Sequence, residues 1–135
     1  MYNPREVAES KGLVVREASL SLSYGYLKKE ERLIVVDKNL PENKKQEVIA
    51  HELKHYDYPY ANKTTFHCYR DVVFYNAHEK FIDRRAAEDL IPLGDLKDFL
   101  KENPEAEIWD IADFFGITER YVHIRFESLK NKGVM

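Results

Sequence analysis

A chain of 135 residues with 44% hydrophobic, 33% charged and 13% aromatic content, and only five Gly and five Pro, has a globular composition rather than a disordered or repetitive one. That length supports one hydrophobic core, whereas two independent cores would each be marginal, so a single domain over 1–135 is expected. The net charge of −3 falls wholly in the last third: residues 1–91 carry 15 basic and 15 acidic side chains and residues 92–135 carry 6 and 9, which leaves no surplus of positive charge for a phosphate backbone.

The first element, "NPREVAESKG", reads as a short helix with Pro4 in its first turn and Gly12 just past its end. "MYNPREVAESKG" lacks the apolar centre of a signal peptide, and no apolar run approaches the roughly 18 residues of a membrane span, so a cytoplasmic protein is expected. Three β-branched or aromatic runs follow, "LVVREA" (13–18), "SLSYGYLKK" (21–29) and "RLIVVD" (32–37). With "KKEE" as a hairpin turn they predict a small antiparallel sheet of about three strands.

At Asn39 the period changes. "NLPENKKQEVIAHELKHYDY" has Glu42 three residues after Asn39, a capping-box-like start with Pro41 inside the first turn, and Pro59 stops the run. Val48, Ile49, Leu53 and Tyr56 recur at helical spacing. Residues 60–75 are mixed, and a loop followed by a short helix or strand fits them. The lone Cys68 in this stretch cannot form an internal disulfide, which suits a reducing cytosol and leaves any metal site to His, Asp or Glu. "NAHEKFIDRRAAEDLIP" predicts a second long helix with Phe81, Ile82, Ala86 and Leu90 on its apolar side. Three helical patterns complete the chain: "GDLKDFLKEN", "EAEIWDIADFF" ended by Gly116, and "TERYVHIRFESLKNK" capped by Thr118. The last two have a helix-turn-helix-like layout, with Ile111, Ala112, Ile117, Val122, Ile124 and Leu129 as core positions. The whole reads as an α+β fold: a small sheet packed on a helical core (1–92), followed by a C-terminal helical subdomain (93–135).

The chemistry lies in "HELKH", residues 51–55. Residues four apart share a helix face, so His51 and His55 can each aim a ring nitrogen at one ion. Glu52 lies about 100° further round, able to approach a water on that ion without ligating it. The H-E-x-x-H spacing thus supplies two zinc ligands and a general base. A hydrolytic zinc site wants a third protein ligand and one open position. The metzincin continuation is excluded, because Tyr58 stands at its Gly position and Ala61 at its His position. His67, His78 and Glu79 remain as candidates, and Glu79 has Asp83 four residues on, so this pair can offer one ligating carboxylate and one that orients a ligand imidazole. His67 and the tyrosines at 56, 58, 60, 69 and 75 could stabilise an oxyanion, though such rings more commonly serve core or rim packing. Cys68 reads as a small buried side chain and His123 as a helix-surface residue.

"HELKH" followed by "EKFIDRRAAEDLIP" (79–92), a preceding β-region and the terminal "IADFFGITERYVHIRFESL" resembles the ImmA/IrrE family of zinc-dependent, gluzincin-like peptidases over most of the chain. Two positions depart from the family's usual pattern, Ile82 where Ala is common and Arg85 where a large apolar residue is common. The resemblance implies Zn(2+) held by His51, His55 and Glu79, with Glu52 as the water-activating base and Asp83 as the partner behind a ligand imidazole. It also implies an anti-repressor encoded on a phage or mobile element, whose partner is a helix-turn-helix repressor that it cleaves. Two other functions are weighed against this one. An anti-repressor that only binds its regulator keeps the metal site but does not need Glu52. Direct DNA binding through the terminal helices meets the acidic balance of that segment, which argues against it.

Overall fold

The computed structural model describes residues 1–60 and 69–134, and of residues 69–72 the backbone alone. Cys68 and His67 lie outside the described residues. The elements run α1 (Pro4–Ser10), β1 (Val14–Ala18), β2 (Gly25–Lys28), β3 (Leu33–Asp37), α2 (Glu42–Asp57), α3 (Tyr69–Leu90), α4 (Leu93–Glu102), α5 (Ile108–Phe115) and α6 (Glu119–Asn131). The fold is α+β, as the sequence pattern predicts. No helix among the described residues is long and apolar enough to cross a membrane.

The sheet is mixed rather than wholly antiparallel. β2 and β3 form the expected hairpin, but β1 pairs with β3 in parallel, giving the order β1-β3-β2. The physical reason is composition. β3 carries Ile34, Val35 and Val36, all buried, and so takes the centre where both faces are covered. β2 alternates half-buried and exposed residues, β1 has no fully buried residue, and both take the edges.

Local chemistry sets most helix ends. Asn3 caps α1, its Oδ1 accepting from the N–H groups of Arg5 and Glu6. α2 starts later than its apparent capping box: Pro41 is the N-cap, and the Asn39 N–H donates to Asp37 Oδ1 at 3.1 Å. α3 extends back to Tyr69, so the mixed stretch is helix from residue 69 on, and residues 61–68 of it lie outside the described residues. Gly116 ends α5 at φ +69°, the left-handed conformation that favours glycine. Thr118 stands at the N-cap of α6, but its side chain caps nothing; its backbone N–H donates instead to the carboxylate of Glu47 on α2.

α2 is the wall shared by two cores. Ile49 and Leu53 face the sheet with Ala8, Leu13, Ile34 and Val36, and all are buried. Burying each of the five larger of these side chains, Ala8 excepted, stabilises the fold by about 2 kcal/mol. Ala50 faces the other way, into a cluster with Ala86, Ala87, Leu90 and Ile91 of the α3 end and Ile111, Ile117, Val122 and Leu129 of α5, α6 and the turn between them. Alanines at this position keep little side-chain bulk between α2 and α3 and let the helices approach closely. Of the six expected core positions in the last two helices, Ile124 is only partly buried and the other five are buried. Ile82 fills the interior completely, while Arg85 lies over the rings of Phe81 and Tyr58 at 5.3 and 5.7 Å.

Candidate metal centre

The helical repeat brings His51 and His55 to one face of α2, and their Nε2 atoms lie 3.1 Å apart. From α3, Glu79 reaches both: Oε2 is 2.9 Å from His51 Nε2 and Oε1 is 3.0 Å from His55 Nε2. One turn further along α3, Asp83 Oδ1 lies 2.8 Å from the opposite ring nitrogen of His51, Nδ1. A carboxylate can only accept, so the His51 Nδ1–H donates to Asp83, which leaves Nε2 as the ring nitrogen that faces His55 and Glu79 and is able to bind a proton or an ion between them.

Such a cluster repels itself unless a positive charge sits among its donors, whether a proton or a metal ion. Burial opposes a charge on His51, yet its hydrogen bonds to Asp83 and Glu79 raise its pKa to about 9. Burial also opposes the charge on Glu79, but the two imidazoles hold its carboxyl far below the usual carboxylate range. A tetrahedral zinc ion with donors at about 2.0–2.1 Å would space them about 3.3 Å apart. The observed 2.9–3.1 Å separations are within a small side-chain rotation of that spacing, so the donor set fits a zinc ion in both geometry and chemistry.

Glu52 is also close, since His51, Glu52 and His55 can each offer a ligand atom within 4.8 Å of one another. Glu79 nevertheless makes hydrogen-bond contact with both imidazoles. Burial shifts the Glu52 carboxyl above its ordinary range, opposed by the two imidazoles and assisted by Glu79. His78, the neighbouring candidate on α3, turns its ring toward Tyr60 and His55, with centroids 5.0 and 5.7 Å away. Its Nε2 is buried without a hydrogen-bond partner among the described residues. Of the tyrosines, Tyr75 lies one turn before Glu79 and hydrogen-bonds it; burial first, then Glu79, raises its phenol. Tyr58 packs edge-on against Phe81 at 5.1 Å, Tyr56 packs on the sheet core, and Tyr60 meets the Tyr75 ring at 5.7 Å. The side chain of Tyr69 lies outside the described residues. His123 is exposed on α6.

The cluster opens into a cleft of about 430 Å³, flanked by Tyr24 and Gly25 at the start of β2, by Lys44, Glu47 and Val48 on α2, and by Arg120 and Tyr121 on α6. The last two are contacts that sequence reading missed. Tyr121 OH donates to Asp83 Oδ1 at 2.8 Å and Arg120 Nη2 to Asp83 Oδ2 at 3.0 Å. Glu47 was missed as well: it is 1% exposed, and its carboxylate receives the Thr118 N–H. Its one sequence signal is the four-residue step to His51 along the same face.

The sequence profile of a peptidase family, described as the IrrE N-terminal-like domain, matches residues 8–127. No curated protein matches the chain.

Proposed function

Because the chain belongs to the IrrE N-terminal-like domain family of peptidases, a metallopeptidase-type domain, we propose that it hydrolyses peptide bonds with a zinc ion held by His51, His55 and Glu79. The observation that carries this reading is the mutual approach of three donors from two helices to 2.9–3.1 Å. When bound, the ion supplies Lewis-acid polarisation of the scissile carbonyl and of water. Glu52 takes a proton from the attacking water as its oxygen bonds to the carbonyl carbon. It then delivers that proton to the departing amine nitrogen as the C–N bond breaks. Asp83 accepts the His51 Nδ1–H, which fixes the ring's tautomer and aims Nε2 inward.

The substrate of this reading is a protein, and the resemblance to ImmA-like anti-repressors points to a helix-turn-helix repressor. The same reading treats 1–135 as one domain, with 1–92 carrying the chemistry and 93–135 as its helical subdomain. In support, a single buried cluster joins Ala50, Ala86 and Ala87 to Ile111, Val122 and Leu129.

Metal analysis of the purified protein, beside repressor cleavage by wild type and Glu52→Gln, tests the proposal. About one zinc per chain is expected, with cleavage reduced about 100-fold or more by Glu52→Gln while zinc is retained. Glu52→Gln that cleaves like wild type would remove the base from the mechanism. Derepression by this variant without any cleavage would assign the protein to regulator capture instead.

A further inference from the structure

The contact between α6 and Asp83 carries a role beyond packing. Asp83 receives three donors: His51 Nδ1, Tyr121 OH and Arg120 Nη2, at 2.8, 2.8 and 3.0 Å. Two of the three come from the first turn of α6, a helix remote in sequence from the ion's proposed ligands. Tyr121 is 2% exposed, so its ring is held by its surroundings. Arg120 is more than half exposed and approaches Asp83 from the cleft side.

The turn itself is tied down on both sides. The Thr118 N–H donates to the buried Glu47 carboxylate on α2, and Arg125 Nε donates to the Ile91 carbonyl beyond the end of α3, at 2.8 Å. Thus α6 is bonded to the helices that carry His51 and Glu79, and its hydroxyl reaches the carboxylate that orients one of them.

Resting on the zinc reading above, we propose that Tyr121, assisted by Arg120, is a positioning residue: it locks the Asp83 carboxylate, and through it the His51 ring, in the metal-binding orientation. A carboxylate with only one donor can rotate, and the imidazole bonded to it rotates with it. Three donors from different directions leave one arrangement. Burial and the neighbouring Asp83 charge push the Tyr121 phenol well above its ordinary range, so its hydroxyl remains a donor. The helix-turn-helix-like pair is thereby coupled to metal affinity, and not merely packed against the catalytic helices.

Zinc alone is the probe. Its dissociation constant is measured by competition with a chromophoric chelator, and the unfolding midpoint of each zinc-free chain is measured in parallel. Tyr121→Phe keeps the ring and deletes the hydroxyl, and about tenfold weaker zinc binding is expected, the lower end for partners behind a ligand. Arg120→Gln, on an exposed side chain, weakens binding by a smaller factor and serves if Tyr121→Phe does not fold. Ile117→Val trims a buried residue just before α6 without touching Asp83, so it lowers the midpoint and leaves zinc affinity unchanged. In an Asp83→Ala background the Tyr121→Phe change has no further effect on affinity. Wild-type affinity in both Tyr121→Phe and Arg120→Gln, or an equal loss in Ile117→Val, overturns this inference alone. Wild type that binds no zinc, or Glu79→Ala that binds it fully, overturns the ligand assignment beneath it.

Discussion

Replacing Glu47 by Ala tests whether a buried carboxylate joins α2 to α6. Glu47 is 1% exposed, and its Oε2 accepts the backbone N–H of Thr118, at an N-terminus whose donors have no partners within the helix. Lys44 Nζ stands 3.8 Å from its other oxygen. Losing a charge-assisted hydrogen bond costs about 1.5–3 kcal/mol, and removing the buried stem adds about 1. Glu47→Ala is therefore expected to destabilise by about 3 kcal/mol, which for a chain of this size lowers the unfolding midpoint by about 10 °C. Glu47→Gln keeps an acceptor of the same shape and sheds a charge that burial disfavours, so it stays within about 1 kcal/mol of wild type at neutral pH.

The pH dependence has a definite sign. Burial raises the Glu47 carboxyl above 4.5, against the opposing pull of Thr118, Lys44 and Arg120. The folded state then holds this proton more tightly than the unfolded chain. The carboxyl's contribution to stability is greatest below the unfolded value and falls as pH rises through the native one. Urea titrations of the three proteins from about pH 4 to about pH 7 should show wild type losing stability relative to Glu47→Gln. An Ala variant within about 0.5 kcal/mol of wild type would refute the proposed link. A Gln variant that falls behind wild type as pH rises would refute the sign.

A Cβ added at Gly25 would lie 2.5 Å from Val48 Cγ1 and 2.7 Å from the Val35 carbonyl oxygen. Gly25→Ala should therefore destabilise by about 2 kcal/mol in chemical denaturation, and a neutral result would mean β2 packs less closely than described. Stripping zinc from protein held in free zinc at about 100 times the dissociation constant should remove about 2.7 kcal/mol of stability. By calorimetry that is a midpoint about 8 °C lower, and an unchanged midpoint would contradict metal binding to the folded state. His78→Gln should retain wild-type zinc content by elemental analysis, because His78 faces aromatic rings in the structure. Loss of the ion would move the third ligand from Glu79 to His78.

The candidate site was legible where its geometry is local. The four-residue steps from His51 to His55 and from Glu79 to Asp83 are helix arithmetic, and a helical pattern is enough to put each pair on one face. What the spacing could not show is that the two faces meet, which depends on small residues such as Ala50 and Ala86 in the packed interior. Tyr121 was illegible as a partner of Asp83, because 38 positions separate them and no periodicity links the two. Glu47 sits in "NKKQEV" and resembles the solvated face of a polar helix; only tertiary packing buries it. In the sheet, the local hairpin was readable from its charged turn. The parallel pairing of β1 with β3 was not, because it is set by competition among strands for the central place. The start of α2 was misplaced for a comparable reason: the N–H of Asn39 is drawn to Asp37, and the chain turns once more before Pro41 admits the helix.

Gly25 leaves nothing but backbone between the margin of the sheet and Val48, and Val48 precedes His51 by one helical turn. Among the described residues β2 also forms an outer rim of the sheet, with β3 on one flank only. Any side chain larger than hydrogen at Gly25 would therefore press on the same helix that carries the first imidazole. The edge strand and the helix that carries His51 thus touch directly, with the Gly25 backbone against Val48.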